Sequence, residues 1–221
     1  GGLYPVNPKH EQLLGLKAYP DLNAIPEDLD LAVIATPAAT VPGIVRQCGE
    51  KNVTSVIIIS AGFVERDAEG KRLQQELLDI AHRYGIRIIG PNCLGVICPG
   101  GRLNASFADG SVKDGNLALL SQSGAVCTAI LDWAKSQDIG FSTVVSMGGA
   151  ADIDFGEVLD YLATDSQTTG ILMYVEGIRD ARRFLSGLKA AARLKPVILI
   201  KAGRHETGGK AVMSHTGALV G

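Results

Sequence analysis

The sequence contains 221 residues, of which 46% are hydrophobic, and its formal net charge is −2. This length supports one large or two ordinary globular domains with a buried core. The charge balance leaves no basic surplus for binding nucleic acid. No apolar run approaches the roughly 20 residues that span a bilayer, and the first residues lack a signal-peptide pattern. We therefore expect a cytoplasmic protein that binds neither nucleic acid nor a membrane.

The composition also favours an α/β protein. Glycine accounts for 27 residues and aromatic residues for only 5% of the chain, a balance typical of glycine-rich turns between strands and helices. The four cysteines have no paired C-x-x-C spacing, so we expect reduced thiols and no metal site.

Apolar runs rich in β-branched residues alternate with amphipathic stretches along most of the chain. Runs that are apolar on both faces predict strands of a buried parallel sheet, here over residues 31–35, 53–59, 86–89, 117–120, 143–145, 170–175 and 196–200. The stretches between them predict helices, over residues 40–51, 68–84, 125–137, 155–163 and 179–193.

The segment 98–115 is dense in Gly, Asp, Ser and Pro and lacks helical or strand periodicity, which predicts a linker. We place a domain boundary near residue 112, which gives an N-terminal unit over residues 1–112 and a second unit over residues 113–221. A strand-like run at residues 2–6 begins without a preceding strand and glycine-rich turn. We therefore expect the first strand of the N-terminal unit to be missing and the chain to be a piece of a longer protein.

In the second unit, the motif SQSGA (residues 121–125) leads from a predicted strand into a predicted helix. Backbone N–H groups and the positive end of the helix dipole bind anions at such a start. Ser121, Ser123 and Gly124 are therefore candidate phosphate-binding residues. The alternative is that Ser123 serves only as a helix N-cap.

His215 and Glu176 are candidates for nucleophilic chemistry. His215 lies among the small residues of SHTGA (214–218), which let a substrate approach a nucleophilic imidazole. Glu176 ends a predicted strand, where ligands gather in open α/β sheets, and its carboxylate could orient one ring nitrogen of His215. The alternatives are a loop histidine bonded to a backbone carbonyl and a solvated carboxylate.

In the N-terminal unit, three predicted strands end in turns of small or stiff residues, TP (36–37), SAG (60–62) and GPNCLG (90–95). Such strand ends leave room for a flat or extended ligand. Lys9 follows a strand-like run where a positive charge commonly meets a ribose phosphate; a lone surface lysine is the alternative.

The motifs YPVNPK, GPNCLGV, SQSGA, VEG and SHTGAL occur in this order over essentially the whole chain. Together they resemble the NDP-forming acyl-CoA synthetases, which include the ADP-forming acetyl-CoA synthetases and the α subunit of succinyl-CoA synthetase. The resemblance implies a Rossmann-like CoA-binding domain followed by a flavodoxin-like domain. It also implies a ligase, with acetate as the expected acid, that interconverts acyl-CoA, ADP (or GDP) and phosphate with carboxylate, CoA and ATP (or GTP).

The same resemblance assigns roles to individual residues. It makes His215 the phosphohistidine, Glu176 the carboxylate that orients it, and Ser121, Ser123 and Gly124 the phosphate cradle. It implies that coenzyme A lies along seven residues of the N-terminal unit: Lys9, Thr36, Pro37, Ser60, Ala61, Asn92 and Cys93.

The family also has a glycine-rich turn for the CoA phosphates and an ATP-grasp domain that binds ATP or ADP with Mg²⁺, and neither is found in this sequence. We therefore expect an ATP-grasp domain or a β subunit as partner, in an oligomeric enzyme.

The phrases LNASFA, ILDWA, DIDF and IRDARRFL also resemble the synthetase-like region of GNAT-fused protein lysine acetyltransferases, where it senses acyl-CoA. Those proteins typically lose the histidine, so His215 favours the ligase. An NAD-type oxidoreductase is disfavoured because the sequence has no G-x-G-x-x-G.

Overall fold

The computed structural model describes residues 1–203. The N-terminal unit begins with a small antiparallel hairpin of β1 (Gln12–Leu13) and β2 (Leu16–Lys17). A parallel sheet follows, in the order β3 (Ala32–Ile34), β4 (Ser55–Ile58) and β5 (Arg87–Ile89). The strand-like run at residues 2–6 is not a strand, because only one isolated bridge forms there, between Val6 and Tyr19.

Two helices pack on this parallel sheet, α1 (Val41–Glu50) and α2 (Ala68–Tyr84). The bounds of α2 follow from its end signals. The Asp67 side chain accepts a hydrogen bond from the amide of Gly70 at 2.8 Å, and Gly85 ends the helix with a φ of 66°. An aspartate N-cap and a left-handed glycine are the preferred start and stop of a helix.

The second unit is a six-stranded sheet with helices on its faces. Its strand order is β11-β10-β8-β9-β6-β7, with β8 (Asp114–Ser121), β9 (Phe141–Ser146), β10 (Gly170–Val175) and β11 (Val197–Lys201) parallel to one another. The connecting helices are α3 (Gly124–Ser136), α4 (Phe155–Thr164) and α5 (Ala181–Leu194). The fold is thus α/β, as predicted, with a parallel sheet in the N-terminal unit and a mainly parallel sheet in the second.

Strands β6 (Gly95–Cys98) and β7 (Leu103–Ser106) complete the second sheet. Strand β6 runs antiparallel to β9, and β7 runs antiparallel to β6. The prediction of an irregular segment over residues 98–115 is therefore wrong, because it contains β7 and the start of β8. A short, polar strand that pairs with a distant neighbour has no periodicity to reveal it. The boundary near residue 112 stays a prediction, although β6 and β7 already pair with the second sheet.

The two units are joined by backbone hydrogen bonds between the loop after β5 and the loop after β9. We call residues 90–95 the proline loop and residues 147–154 the β9 loop. The amide of Gly149 donates to the carbonyl of Pro91 at 2.8 Å, and the amide of Ala151 donates to the carbonyl of Gly90 at 3.0 Å. Gly148 has a φ of 52°, and a Cβ there would lie 2.3 Å from the Pro91 carbonyl oxygen.

An ion-pair network reinforces this junction. The Arg87 guanidinium lies 3.1 Å from a carboxylate oxygen of Asp152 and 2.8 Å from one of Glu157, which is also 2.8 Å from Arg183. Burial acts to raise the pKa of Glu157, but the hydrogen bond and charge of Arg87, with the charge of Arg183, outweigh it and lower that pKa.

No helix in the described part of the chain is long and apolar enough to cross a membrane.

Candidate functional site

The first part of the site is the start of α3, directly after β8. Ser121 is fully buried, and its hydroxyl donates to the carbonyl of Ser123 at 2.8 Å and accepts from the amide of Ser123 at 3.1 Å. The hydroxyl of Ser123 caps the helix by accepting from the amide of Val126 at 3.3 Å. The amides of Gly124 and Ala125 precede the first helical carbonyl that could accept from them, so they face outward as donors.

Gln122 connects this helix start to the end of β10. Its side-chain oxygen Oε1 accepts hydrogen bonds from the amide of Glu176 at 2.7 Å and from the amide of Gly177 at 3.0 Å, and all of these groups are buried. The two predicted parts of the site, the SQSGA turn and the VEG strand end, are therefore held together by one side chain. Gln122 is not among the site residues predicted from the sequence, because its two partners lie more than 50 residues away along the chain.

Glu176 is a buried carboxylate, only 6% exposed, at the end of β10. The ammonium of Lys201 donates to its backbone carbonyl at 3.0 Å, which ties the end of β11 to the same edge. Burial first, and then the charge of Glu176, raise the pKa of Tyr174, two residues earlier on the strand. A buried carboxylate at the end of a strand whose backbone is held on both sides suits the orientation of a partner imidazole. His215 lies outside the described residues.

In the N-terminal unit, six of the seven predicted CoA-binding residues meet at one edge of the β3–β5 sheet. They follow the carboxyl ends of the three strands, as the pairs Thr36 and Pro37, Ser60 and Ala61, and Asn92 and Cys93. The amide of Asn92 donates to the carbonyl of Ser60 at 2.9 Å, which links two of these pairs. The Ser60 hydroxyl donates to the carbonyl of Ile34 at 3.4 Å.

The side chains at this edge are small, and Thr36, Pro37 and Ala61 are exposed. The edge can therefore receive an extended ligand such as coenzyme A along exposed backbone. Glu65 shapes it further by accepting hydrogen bonds from the amides of Gly62 and Phe63 at 2.6 and 3.1 Å, an anchor that the sequence analysis did not identify.

Cys93 and Lys9 differ from the other predicted residues. The Cys93 thiol is buried and donates to the carbonyl of Ile58 at 3.2 Å, and burial raises its pKa to about 12. The side chain therefore faces the core, and only the backbone of Cys93 is available at the ligand edge. Lys9 is exposed in an N-terminal turn, where its amide donates to the Asn7 side chain at 2.9 Å; no contact in the described residues joins it to the strand ends.

A cleft with a volume of about 280 Å³ opens between the two units. Gln122 and Gly177 line it, so it adjoins the buried junction of the SQSGA turn with the end of β10. Its other walls come from α2 and the loop before it, from the β9 loop, and from the starts of α4 and α5.

Comparison with known proteins identifies a family for each part of the chain. Residues 1–99 match the family model described as a CoA binding domain, and residues 114–221 match the one described as a succinyl-CoA ligase-like flavodoxin domain. The chain is 47% identical over its whole length to an ADP-forming acetate–CoA ligase of Archaeoglobus fulgidus, of which it covers 32%. It is also 47% identical over its whole length to the α subunit of such a ligase from Pyrococcus furiosus, of which it covers 48%.

A solved structure gives the same result. An acetyl-coenzyme A synthetase from Ca. Korarchaeum cryptofilum, in complex with phosphate and ADP, superposes with a TM-score of 0.91 at 40% identity. The match covers 99% of this chain and 47% of that chain. The chain thus spans about a third to a half of the length of these relatives. It belongs to the NDP-forming acyl-CoA synthetases, as a part that carries their CoA-binding and succinyl-CoA ligase-like domains.

Proposed function

We propose that this chain is the CoA-binding and phosphoryl-carrying part of an ADP-forming acyl-CoA synthetase, with acetate as its acid and the cytoplasm as its compartment. The observation that carries the proposal is Gln122, which holds the α3 start and the Glu176 strand end together with two buried hydrogen bonds of 2.7 and 3.0 Å. Outward-facing amides suit phosphate binding, and a buried carboxylate suits the orientation of an imidazole that accepts a phosphoryl group.

The chemistry proceeds in two steps at this site. Inorganic phosphate, held by the amides of Gly124 and Ala125, attacks the thioester carbonyl, so that a P–O–C bond forms and the thiol of CoA leaves. His215 then attacks the phosphorus of the acyl phosphate and releases the carboxylate, while Glu176 orients the imidazole through its other nitrogen. The backbone donors bear the developing negative charge in both steps.

Return of the phosphoryl group to ADP requires a nucleotide site. An ATP-grasp domain or a β subunit supplies this site together with Mg²⁺, within an oligomer. The relatives named above are longer than this chain, which supports such a further domain or subunit.

The test is phosphoryl labelling of the parent protein, supplied with its nucleotide-binding domain or subunit, by γ-labelled ATP and Mg²⁺. We expect an acid-labile, base-stable label that disappears in His215→Ala and persists in His82→Ala, since His82 is an exposed residue in the last turn of α2. An unlabelled wild-type protein that still binds CoA would overturn the ligase and favour the acyl-CoA-sensing module of a GNAT-type acetyltransferase.

A further inference from the structure

Lys201 is the last residue of β11, and its register partner Val175 is the last residue of β10, directly before Glu176. We propose that Lys201 is a positioning residue for phosphoryl transfer. Its ammonium sets the spacing between Glu176 and the start of the segment that leads to His215. This inference rests on the proposed function, because it concerns the two residues that orient and accept the phosphoryl group there.

The Lys201 ammonium joins the exits of two neighbouring strands. It donates hydrogen bonds to the carbonyl of Glu176 at 3.0 Å and to the carbonyl of Ala202 at 2.8 Å. These are the first carbonyls after β10 and β11, which run parallel side by side. Two carbonyl oxygens that approach one point repel each other, so the cation between them keeps the strand exits at this spacing.

The backbone of Glu176 is thereby held at both of its polar groups. Its amide donates to Oε1 of Gln122 at 2.7 Å, and its carbonyl accepts from Lys201 at 3.0 Å. The first bond fixes the carboxylate-bearing residue relative to the phosphate-binding start of α3. The second bond fixes it relative to the end of β11, from which the chain continues towards His215.

Ala202 is held in the same way as Glu176. Its amide donates to the carbonyl of Val175 at 2.9 Å, and its carbonyl accepts from Lys201 at 2.8 Å. The segment that carries His215 therefore starts from a fixed point beside Glu176. A nucleophile and the carboxylate that orients it work together only at a set separation, and a shift of about 1 Å can cost about a hundredfold in rate.

The alternative role for Lys201 is protection of an open sheet edge. Strand β11 is the outermost strand of the described sheet, and a lysine on such a strand commonly extends its charge into solvent. Lys201 is instead half-buried, with its ammonium turned onto backbone carbonyls of the site. Ordering this long side chain costs conformational entropy, and edge protection does not require it.

Lys195 offers a matched comparison at the other end of the same strand. It lies just before β11, is also half-buried, and donates to the carbonyls of Leu162 and Asp165 at the end of α4. Both lysines therefore hold a strand end through two backbone carbonyls, but of the two it is Lys201 that is bonded to the site. Comparing their variants separates a loss of fold stability from a loss of positioning.

The experiment measures the single-turnover rate of phosphoryl labelling by γ-labelled ATP and Mg²⁺, in the parent protein with its nucleotide-binding domain or subunit. We expect Lys201→Met to slow labelling by about ten- to a hundredfold. The dissociation constant for CoA should change by less than about twofold, because the predicted CoA edge lies in the other unit. Lys201→Arg should restore most of the rate, since a guanidinium carries enough N–H donors to bond both carbonyls. Lys195→Met should label at the wild-type rate.

Lys201→Gln guards against misfolding of the methionine variant, because it keeps a polar side chain at this half-buried position and removes only the charge and part of the length. Its labelling rate should lie between those of Lys201→Met and the wild type. Equal rates in the Lys201 variants and Lys195→Met, or no rescue by Lys201→Arg, would overturn the positioning role while leaving the proposed function standing. A wild-type protein that binds CoA but takes no label would overturn the two together.

Discussion

Replacing Gln122 with leucine tests the link between the two halves of the site. Gln122→Leu keeps the size of the side chain but removes the oxygen that accepts the amides of Glu176 and Gly177. Each buried amide left without a partner costs about 1–3 kcal/mol, so we expect the free energy of unfolding to fall by about 2–6 kcal/mol. Glu176 and Gly177, the first residues after β10, should also become more mobile, because their amides lose their acceptor.

Urea unfolding followed by tryptophan fluorescence measures this effect. Trp133 is the single tryptophan of the chain and lies on α3, so its signal reports on the second unit. Hydrogen exchange at the amides of Glu176 and Gly177 gives the local readout and should accelerate in Gln122→Leu. Gln137→Leu is the control, since Gln137 is exposed at the end of α3. A loss of less than about 0.5 kcal/mol, within the range of ordinary surface changes, would show that Gln122 does not hold the end of β10.

Three further predictions concern the junction and the thiols. Gly148→Ala should lower the melting temperature markedly, because its Cβ would clash with the proline loop. Gly149→Ala is the control and should be tolerated, since its Cβ would lie 3.5 Å from the nearest atom. Equal melting temperatures of the two variants would contradict the clash. Arg87→Met should cost about 1 kcal/mol or less, because the ion pair is half-exposed. The lowered pKa of Glu157 means that its ion pairs stabilise the fold above the ordinary value of 4.5 and are lost as the pH falls through the folded-state pKa. Urea titrations at several pH values should therefore show a shallower loss of stability in acid for Arg87→Met than for the wild type, and parallel curves would count against the network. At neutral pH, a thiol reagent should modify at most one cysteine of the native protein, Cys98, and all four after denaturation. The other three thiols are protected because they are buried and burial raises their pKa values: Cys48, Cys93 and Cys127. Rapid reaction of two or more native thiols would show that the core is more open than described.

The regular elements were predictable wherever the local sequence carries its own signals. The helix predicted over residues 68–84 has those bounds in the structure, because Asp67 and Gly85 mark its ends. The strand predicted over residues 170–175 also has its predicted bounds, since a run that is apolar on both faces is typical of a buried parallel strand.

What the sequence could not show depends on contacts between distant residues. Gln122 reaches an amide 54 residues away, and no local pattern distinguishes it from a solvated glutamine. Strand β7 forms only because β6 is there to pair with it. The motif places Cys93 at the ligand edge, yet the direction of its side chain depends on the carbonyl of Ile58, which belongs to another strand.

The antiparallel pair β6 and β7 limits how this protein can be divided. The match to the CoA binding domain ends at residue 99, but β6 lies before that point and hydrogen-bonds to β9 of the second sheet. A cut at residue 99 or 112 would remove β6 from its neighbour and expose the edge of β9, whose residues are buried. An open, apolar edge of this kind promotes aggregation. Recombination of the two units between family members should therefore succeed only if the crossover lies before Gly95, so that the proline loop marks the natural seam between exchangeable modules.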